Sequence, residues 1–485
     1  MQPGIRSDRR QGRHRSPRAA SSGWRPAAFT GPWRETIDFH ALLILFIACA
    51  LGGGSSFAEV PSLLFVRPIA LLCLMLFLLS PAPAAWSAYR MPLVLLAAFA
   101  GLMAVQLVPL PPAIWTVLPG RAPYLDVARL AGIAQPWRPI SLAPDLTLNS
   151  LVSLIVPAAV LAGFAKLRDD QRQASVLVLV IVCGVSAAVG IAQFAGGKGS
   201  ALYLYRRTYE GFPVGLLSNR NHQAALLSLI FPALRVWTLM PAVNRAWSRN
   251  RHWLALALGV MVVPVILATG SRAGSALMIL AITVAFVLFP PSSRETGDGA
   301  RVRQLLIRIG LPVLAVVLIA LTYLFGRAAS IERLVSLSAV DGEQRFQFAP
   351  VVLRIIKATF PAGTGFGSFD PVFRQYETDD ILISSYFNHA HNEVLEMTVM
   401  AGLPGLALLA VFLLWWGGRL RTVVKARADA SVRLARLGAL AVGGLLLASL
   451  VDYPLRAPIV AAVFAMACCW LCEYRTSPRA RGTAG

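Results

Sequence analysis

A histidine at a membrane boundary is the first candidate for chemistry in this chain. His391 and Asn392 follow a long polar segment, 326–388, and precede an apolar run, 393–416. Imidazole is the side chain whose ordinary pKa, about 6.5, suits proton transfer near neutral pH. The position of His391 therefore predicts a group that moves a proton, although a histidine there also suits capping a helix or bonding a carbonyl.

Two arginines combine charge with membrane depth on the same predicted face. Arg220 lies in the motif Ser-Asn-Arg-Asn-His, 218–222, and Arg272 lies in a short turn, 269–274. A charged group at such depth is costly without a partner or water, so it is a functional candidate. A second interpretation stays open for each, because the chain uses arginine for nearly all its basic residues and an interfacial arginine snorkels to lipid phosphates.

Asparagines beside both sites predict helix N-termini. Asn219 or Asn221 is suited to cap the sixth apolar run, and Asn388 or Asn392 is suited to cap the tenth. Free N–H groups at helix starts favour an anion. Guanidinium forks beside such ends would make a site for phosphate or diphosphate that needs no metal.

The composition predicts that a membrane scaffold positions these residues. Hydrophobic residues make up 56% of the 485 positions and charged residues only 14%, whereas soluble domains carry about 25% charged residues. The apolar runs approach the ~20 residues that cross a bilayer. The prediction is an all-α polytopic membrane protein of about twelve transmembrane helices, with a long periplasmic loop before the tenth. The predicted spans are 40–57, 60–79, 91–110, 148–166, 174–194, 219–239, 253–269, 274–290, 305–325, 391–416, 437–451 and 456–472.

The net charge of +22 does not form one basic patch. Clusters of basic residues fall between alternate apolar runs, which is the positive-inside pattern. Both termini are therefore expected in the cytoplasm, and nucleic acid is not expected as a partner. The clusters lie at 6–34, 166–172, 245–251, 294–303, 419–436 and 475–481.

Composition divides the chain into four parts. Residues 1–37 form a basic tail with too few apolar residues for a core, expected to be disordered beside the anionic inner leaflet. Residues 38–204 hold the N-terminal helices, and 205–472 form a second membrane domain that includes the periplasmic loop 326–388. Residues 473–485 are a cytoplasmic tail. All six cysteines lie in or beside apolar runs, so no disulfide framework or zinc site is predicted.

The long loop carries three local patterns. Arg345 precedes a stretch, 350–360, whose apolar and polar residues follow the spacing of a helix lying on the membrane interface. The glycine-rich run 363–367 predicts a tight turn rather than a dinucleotide site, because no strand precedes it. The adjacent Asp379 and Asp380 are more typical of a solvated turn than of a magnesium site.

These motifs together resemble the bacterial O-antigen ligase and O-antigen polymerase superfamily. His391-Asn392, nine further residues and then Gly402-Leu-Pro-Gly405 are similar to the histidine signature of that family. Further pieces resemble the family in the same order across about residues 205–470. They are 215–222, 269–274, Arg345 with 361–367, and 450–456.

The resemblance implies an inverting, metal-independent glycosyltransferase of the bacterial inner membrane, with its active site facing the periplasm and no cofactor. Its donor would be a glycan linked through diphosphate to undecaprenol. Its acceptor would be lipid A-core, as in a ligase, or another glycan, as in a polymerase of O-antigen or exopolysaccharide. Membrane lipids and polysaccharide-assembly proteins are further expected partners.

Carried over to this sequence, the resemblance implies that Arg220 and Arg272 hold the diphosphate and that His391 activates the acceptor hydroxyl. His389 is the alternative base. Glu393 and Glu396 either orient the imidazole or pair with an arginine. Substrate-binding residues are expected among Arg345, Asn392, Asn219, Asn221, His389 and Glu396.

Ligase and polymerase differ in acceptor rather than in chemistry, and the sequence does not separate them, with a slight preference for polymerase. A rival of another class is a lipid-linked oligosaccharide flippase or other polysaccharide transporter. The lack of an internal repeat and the long loop before the histidine argue against that rival. A purely structural or sensing membrane protein is the remaining alternative.

Overall fold

The protein is helical almost throughout the part that the structure describes. The only strands there, Pro109–Leu110 and Arg138–Pro139, form a two-stranded antiparallel pair. The predicted all-α class is confirmed. Arg345 and the predicted ninth span, 305–325, lie outside the described residues. The computed structural model describes residues 33–241, 244–289, 348–379, 387–427 and 429–474.

The α-helices follow the apolar runs. Short 3₁₀ helices at Trp86–Tyr89 and Pro454–Arg456 precede two of them. In chain order the helices are α1 (Trp33–Gly52), α2 (Leu63–Leu79), α3 (Arg90–Gln106), α4 (Pro112–Trp115), α5 (Ala122–Leu130), α6 (Pro144–Ser153), α7 (Ile155–Lys166), α8 (Asp169–Gly196), α9 (Arg220–Ser228), α10 (Ile230–Thr238), α11 (Arg245–Ala268), α12 (Arg272–Leu288), α13 (348–359), α14 (Phe369–Tyr376), α15 (Glu393–Lys425), α16 (Ala430–Ser449) and α17 (Pro458–Cys472).

Two predicted spans are each formed by two separate helices. Within the described ranges, six helical stretches are long and apolar enough to cross a membrane and four shorter apolar helices accompany them. The sixth predicted span is divided into α9 and α10, and the fourth is met by α6 and α7. At each break, a serine carbonyl receives no helical hydrogen bond, because the residue four positions later is a proline and has no N–H. The pairs are Ser153 with Pro157 and Ser228 with Pro232.

Two hydrophobic clusters contain most of the buried residues that hold the helices together. The larger joins α1, α2, α7 to α12, α16 and α17. The smaller packs α13 and α14 against α3 and the middle of α15, with Val351, Val352 and Ile355 buried beside Phe369 and Phe373. The apolar face of α13 therefore packs on protein, which corrects the predicted location on the membrane interface. The aromatic residues of α14 cover it instead of lipid.

Helix α15 is broken at Gly402, nine residues after its start. Gly402 has a positive φ of 55°, and Pro404 has no N–H to give to the Met400 carbonyl. The Leu403 N–H leaves its own helix and donates to the Pro361 carbonyl at 3.0 Å. A Cβ at Gly402 would overlap that same carbonyl. The break therefore admits a neighbouring segment only because residue 402 is glycine.

The glycine-rich turn docks into this break. The Thr364 N–H donates to the Val399 carbonyl at 3.0 Å, and the Gly365 N–H donates to the Met400 carbonyl at 2.8 Å. The Gln106 side chain adds a third bond, from its amide nitrogen to the Met400 carbonyl at 3.0 Å. Positive φ angles confirm the predicted tight turn at Gly363, Gly365 and Gly367. The end of the long loop is thus tied to the helix that His391 precedes.

Candidate functional site

Two predicted arginines line one cavity. Arg220 is the first residue of α9 and Arg272 the first of α12, and both border a cavity of about 430 Å³. The two helices approach closely at Gly274, which has no Cβ. A Cβ there would overlap the Cβ of Ala224. The structure thus brings together two arginines that are far apart in the chain. We call this space the arginine cavity.

The two arginines differ in their surroundings. Arg220 is only 2% exposed, and its guanidinium lies 4.7 Å from the ring centroid of Phe212 and 5.5 Å from that of Tyr209. Its Nη1 also reaches the Thr269 carbonyl at 3.4 Å. Arg272 is exposed. Stacking and burial therefore hold Arg220 in place, whereas Arg272 keeps the freedom to adjust to a ligand.

Of the four asparagines that were candidates for helix caps, Asn219 and Asn392 form the caps. Asn219 caps α9 by accepting from the Asn221 N–H at 2.7 Å, and Asn392 caps α15 by accepting from two N–H groups of its first turn at 3.0 Å each. The Asn221 side chain instead donates to Oδ2 of Asp452 at 2.8 Å. Asn388 accepts from the hydroxyl of Tyr453 at 3.5 Å.

His391 pairs with a carboxylate that was not predicted. Its Nδ1 lies 3.2 Å from Oδ1 of Asp452, in the turn between α16 and α17. Asp452 borders the arginine cavity and so links His391 to it. His391 has a φ of +50°, an uncommon conformation for a residue with a Cβ. The carboxylate expected of Glu393 or Glu396 is therefore supplied by Asp452.

The charge of Asp452 sets the chemistry of this pair. Burial favours a raised pKa, but the proximity of His222 and His391 holds the pKa of Asp452 well below its ordinary value. An ionised Asp452 accepts a hydrogen bond from Nδ1–H of His391, and in the neutral imidazole this leaves Nε2 without a proton. This tautomer, assigned from the hydrogen bond, makes Nε2 the proton acceptor.

His389 belongs to a second network. Its Nδ1 lies 2.8 Å from Oε1 of Glu396, and its ring centroid lies 4.2 Å from that of Tyr453. Burial lowers the pKa of His389, although Glu396 opposes that shift. Arg456 forms two 2.9 Å bonds with Glu393 and approaches Glu396 at 3.0 Å. The glutamates were predicted either to orient an imidazole or to pair with an arginine, and both contacts occur. Glu396 bonds His389 and not His391, and both glutamates pair with Arg456.

Three polar residues of the site were not predicted as functional. They are Asp452, Arg456 and His222. His222 is 0% exposed and borders the arginine cavity, and its Nε2 lies 3.6 Å from Oδ1 of Asp452. A signal existed for all three, since they lie in the motifs 215–222 and 450–456. Hydropathy alone did not show which carboxylate faces which histidine.

The fold and the site together define a polytopic membrane protein with an arginine-lined cavity beside a histidine–carboxylate pair. Residues 254–410 match the family model described as O-antigen ligase. The match confirms the resemblance that the motifs indicate, because this part of the chain is similar to the O-antigen ligase and polymerase superfamily. The matched residues include Arg272, His389 and His391, whereas Arg220 and Asp452 lie outside them. No curated protein matches the chain in sequence.

Proposed function

We propose that the protein is an inverting glycosyltransferase. It moves a glycan from undecaprenyl diphosphate to an acceptor hydroxyl at the periplasmic face of the inner membrane, without a metal ion. The observation that supports this most is that Asp452, the partner of His391, borders the cavity that Arg220 and Arg272 line. A proton acceptor and a cationic site for a leaving group therefore lie side by side.

The arginine cavity is suited to a diphosphate. Arg220 and Arg272 offer planar guanidinium groups, which bind phosphate oxygens in pairs. The first residues of α9 and α12 also border the cavity, and backbone N–H groups at helix starts favour anions. Charge that develops on the departing diphosphate is stabilised by groups already in place, which lowers the barrier to bond breaking.

The transfer then proceeds as a single displacement. Nε2 of His391 takes the proton of the acceptor hydroxyl while its oxygen bonds to the anomeric carbon. The bond from that carbon to the diphosphate oxygen breaks on the opposite face, and undecaprenyl diphosphate leaves with the electron pair. Asp452 stabilises the imidazolium that forms. Such a general base contributes roughly 10²- to 10⁴-fold to the rate.

A reconstituted assay tests this function. The purified protein is placed in vesicles with an undecaprenyl-diphosphate glycan and with lipid A-core or a second glycan as acceptor. We expect release of undecaprenyl diphosphate together with a longer or newly ligated glycan, and loss of both in Arg272→Ala. Movement of the intact donor across the bilayer without release would instead identify a flippase.

The orientation of the site is tested separately. The proposal places the segment around Ser368 in the periplasm and both termini in the cytoplasm, on the basis of the alternating basic clusters. A phosphatase fused after Ser368 should therefore be active, and a phosphatase fused to the C-terminus should be inactive. An inactive but stable fusion at Ser368 would contradict the shared periplasmic face.

A further inference from the structure

A wall separates the arginine cavity from a second cavity of about 680 Å³. The wall is the end of α16 and the turn that follows it. Ala448 and Asp452 border the arginine cavity, whereas Ser449, Leu450 and Arg456 border the second. The two cavities therefore lie on either side of the segment that holds the partner of His391.

The second cavity begins at the loop that carries His391. Asn388, His389 and Glu393 border it, and Glu393 is neutralised there by its two bonds with Arg456. A sugar at this polar end would lie beside the loop 387–392. His389, two residues before His391, borders this end of the cavity, so the hydroxyl of such a sugar would lie beside the same short loop as His391.

The second cavity is long, and its lining along α15 is mostly apolar, while Glu59, Arg207 and Asp370 border it elsewhere. Met397, Leu409 and Leu413 of α15 border it on one side, and Leu447 of α16 borders it on another. The lining continues to Trp416, about six turns along α15 from Glu393. An apolar path of this length suits a hydrocarbon chain, because the chain loses no hydrogen bonds there and contacts apolar surface throughout.

Arg67 is one of three arginines that border the second cavity, with Arg207 and Arg456. Arg67 borders the second cavity and shares a helix face with the buried Leu63, Val66 and Ala70, whereas Leu64 beside them is 81% exposed. Its side chain therefore points inward rather than toward surrounding lipid.

The hydrogen bonding of Arg67 leaves its charge uncompensated. Its Nη2 reaches only the Asn149 carbonyl, at a weak 3.4 Å. Among the residues that the structure describes, no carboxylate lies within ion-pair distance of Arg67. An arginine at membrane depth without a carboxylate is stabilised by an anionic ligand.

We propose that the second cavity holds the lipid anchor of the acceptor. The acceptor is then an anionic amphiphile whose phosphate lies at Arg67, whose chain follows α15, and whose glycan reaches the loop of His391. This inference rests on the proposed function. The cavity is assigned to the acceptor because inversion places the acceptor oxygen and the leaving diphosphate on opposite faces of the anomeric carbon. The two cavities lie on opposite sides of one wall.

Neighbouring leucines on α15 provide a matched test. Leu413 borders the second cavity, whereas the next residue, Leu414, is 77% exposed and does not line it. Leu413→Trp should block the path of the chain, and Leu414→Trp is the control for added bulk. Arg67→Gln removes the charge but keeps a polar side chain of similar length. Thermal unfolding of each purified variant verifies that it is folded.

Labelling with a benzophenone-bearing polyprenyl phosphate measures binding without transfer. It is done in an Arg272→Ala background, which weakens binding at the arginine cavity. We expect labelling to fall about fivefold or more in Leu413→Trp and Arg67→Gln and to stay unchanged in Leu414→Trp. In protein with Arg272 intact, the KM for lipid-anchored acceptor should rise about tenfold, while undecaprenyl diphosphate binding and kcat stay within about twofold.

Four results would overturn the inference while leaving the proposed function in place. Unchanged labelling in both variants would mean that no anionic amphiphile occupies the cavity. Weaker undecaprenyl diphosphate binding would assign the cavity to the donor. If labelling is lost but the KM for the acceptor is unchanged, the cavity binds membrane phospholipid and not the acceptor. The same conclusion follows if an acceptor without its lipid is used equally well. Absence of any transfer by the wild-type protein would instead reject the proposed function, and the acceptor assignment with it.

Discussion

Two histidine–carboxylate pairs lie side by side in this protein, and their neighbours make them different. The side chains of His391 and His389 are 16% and 13% exposed, so exposure does not separate them. Asp452, beside His391, bonds an asparagine amide and borders the arginine cavity, whereas Glu396, beside His389, pairs with Arg456. The role of a histidine here follows from what else its carboxylate contacts.

Removing each imidazole in turn is the strongest test of this difference. His391→Ala should lower the transfer rate by about 10²- to 10⁴-fold, because the group that takes the acceptor proton is lost. Donor binding should persist, since Arg220 and Arg272 remain. His389→Ala should lower transfer much less, and should lower the unfolding temperature more, because Glu396 loses a buried partner. Transfer rate, undecaprenyl diphosphate binding and thermal unfolding are measured for both.

An opposite ranking would exchange the roles. If His389→Ala alone abolished transfer at normal protein level, the base would lie two residues upstream. If His391→Ala kept full activity, the protein would need no imidazole at this position.

Neutralising the carboxylate beside each histidine tests the same difference between the two pairs through residues that do not contact the substrate. Asp452→Asn should reduce transfer by about 10²-fold, because the amide no longer stabilises an imidazolium and lets His391 turn. Glu396→Gln should mainly destabilise the fold, since it leaves Arg456 with less compensation. A kcat loss in Asp452→Asn without a change in the donor Kd is the expected signature. Equal kcat values for Asp452→Asn and wild type would remove Asp452 from the chemistry.

The arginines of the two regions should respond differently to lysine. Arg272→Lys should reduce transfer by roughly tenfold, because lysine keeps the charge but not the fork that grips two phosphate oxygens. Arg456→Lys should leave donor binding unchanged and lower the unfolding temperature, because two bonds to Glu393 cannot both be kept. Normal transfer by Arg272→Lys would show that a diffuse positive field is enough.

The smallest effect concerns the pH dependence of stability. Burial lowers the pKa of His389 from its ordinary value of 6.5, so the unfolded chain binds a proton that the folded chain refuses. This contribution to stability is present above pH 6.5 and is lost as the pH falls from there toward the folded pKa. The unfolding temperature of the wild-type protein should therefore drop more between neutral pH and pH 5 than that of His389→Gln, with roughly a degree or two between them. Parallel curves would contradict a neutral His389.

Local patterns in the sequence predicted some parts of the site and not others. His391, Arg220 and Arg272 stood out because a charged or titratable group within an apolar run is visible in one dimension. Asp452 did not, because its pairing with His391 depends on how α16 and α15 pack. Glu396 is much closer to His391 in the chain, yet the path of the loop before α15 turns it toward His389. Sequence distance was therefore misleading for the carboxylates.

The fold shows the same limit. The apolar runs predicted most helices, because hydropathy reports burial in lipid or core directly. The interruptions at Ser153 and Ser228 were missed, since Pro157 and Pro232 leave hydropathy unchanged and act only by withholding one N–H. The apolar stripe of α13 predicted burial correctly but not its partner, because lipid and the phenylalanines of α14 satisfy the same pattern.

The break in α15 has a consequence for recognising such proteins. What the docking of the turn requires at Gly402, Gly363 and Gly365 is the absence of a Cβ, and what it requires at Pro404 is the absence of an N–H. The joint is thus specified by atoms that are missing, and its bonds, apart from those of the Gln106 and Thr364 side chains, mainly join backbone groups. A side chain at any of these four positions can neither strengthen it nor replace it. Almost any substitution at these four positions weakens the joint. We therefore expect these positions to vary little among related proteins, although none of them has a reactive side chain.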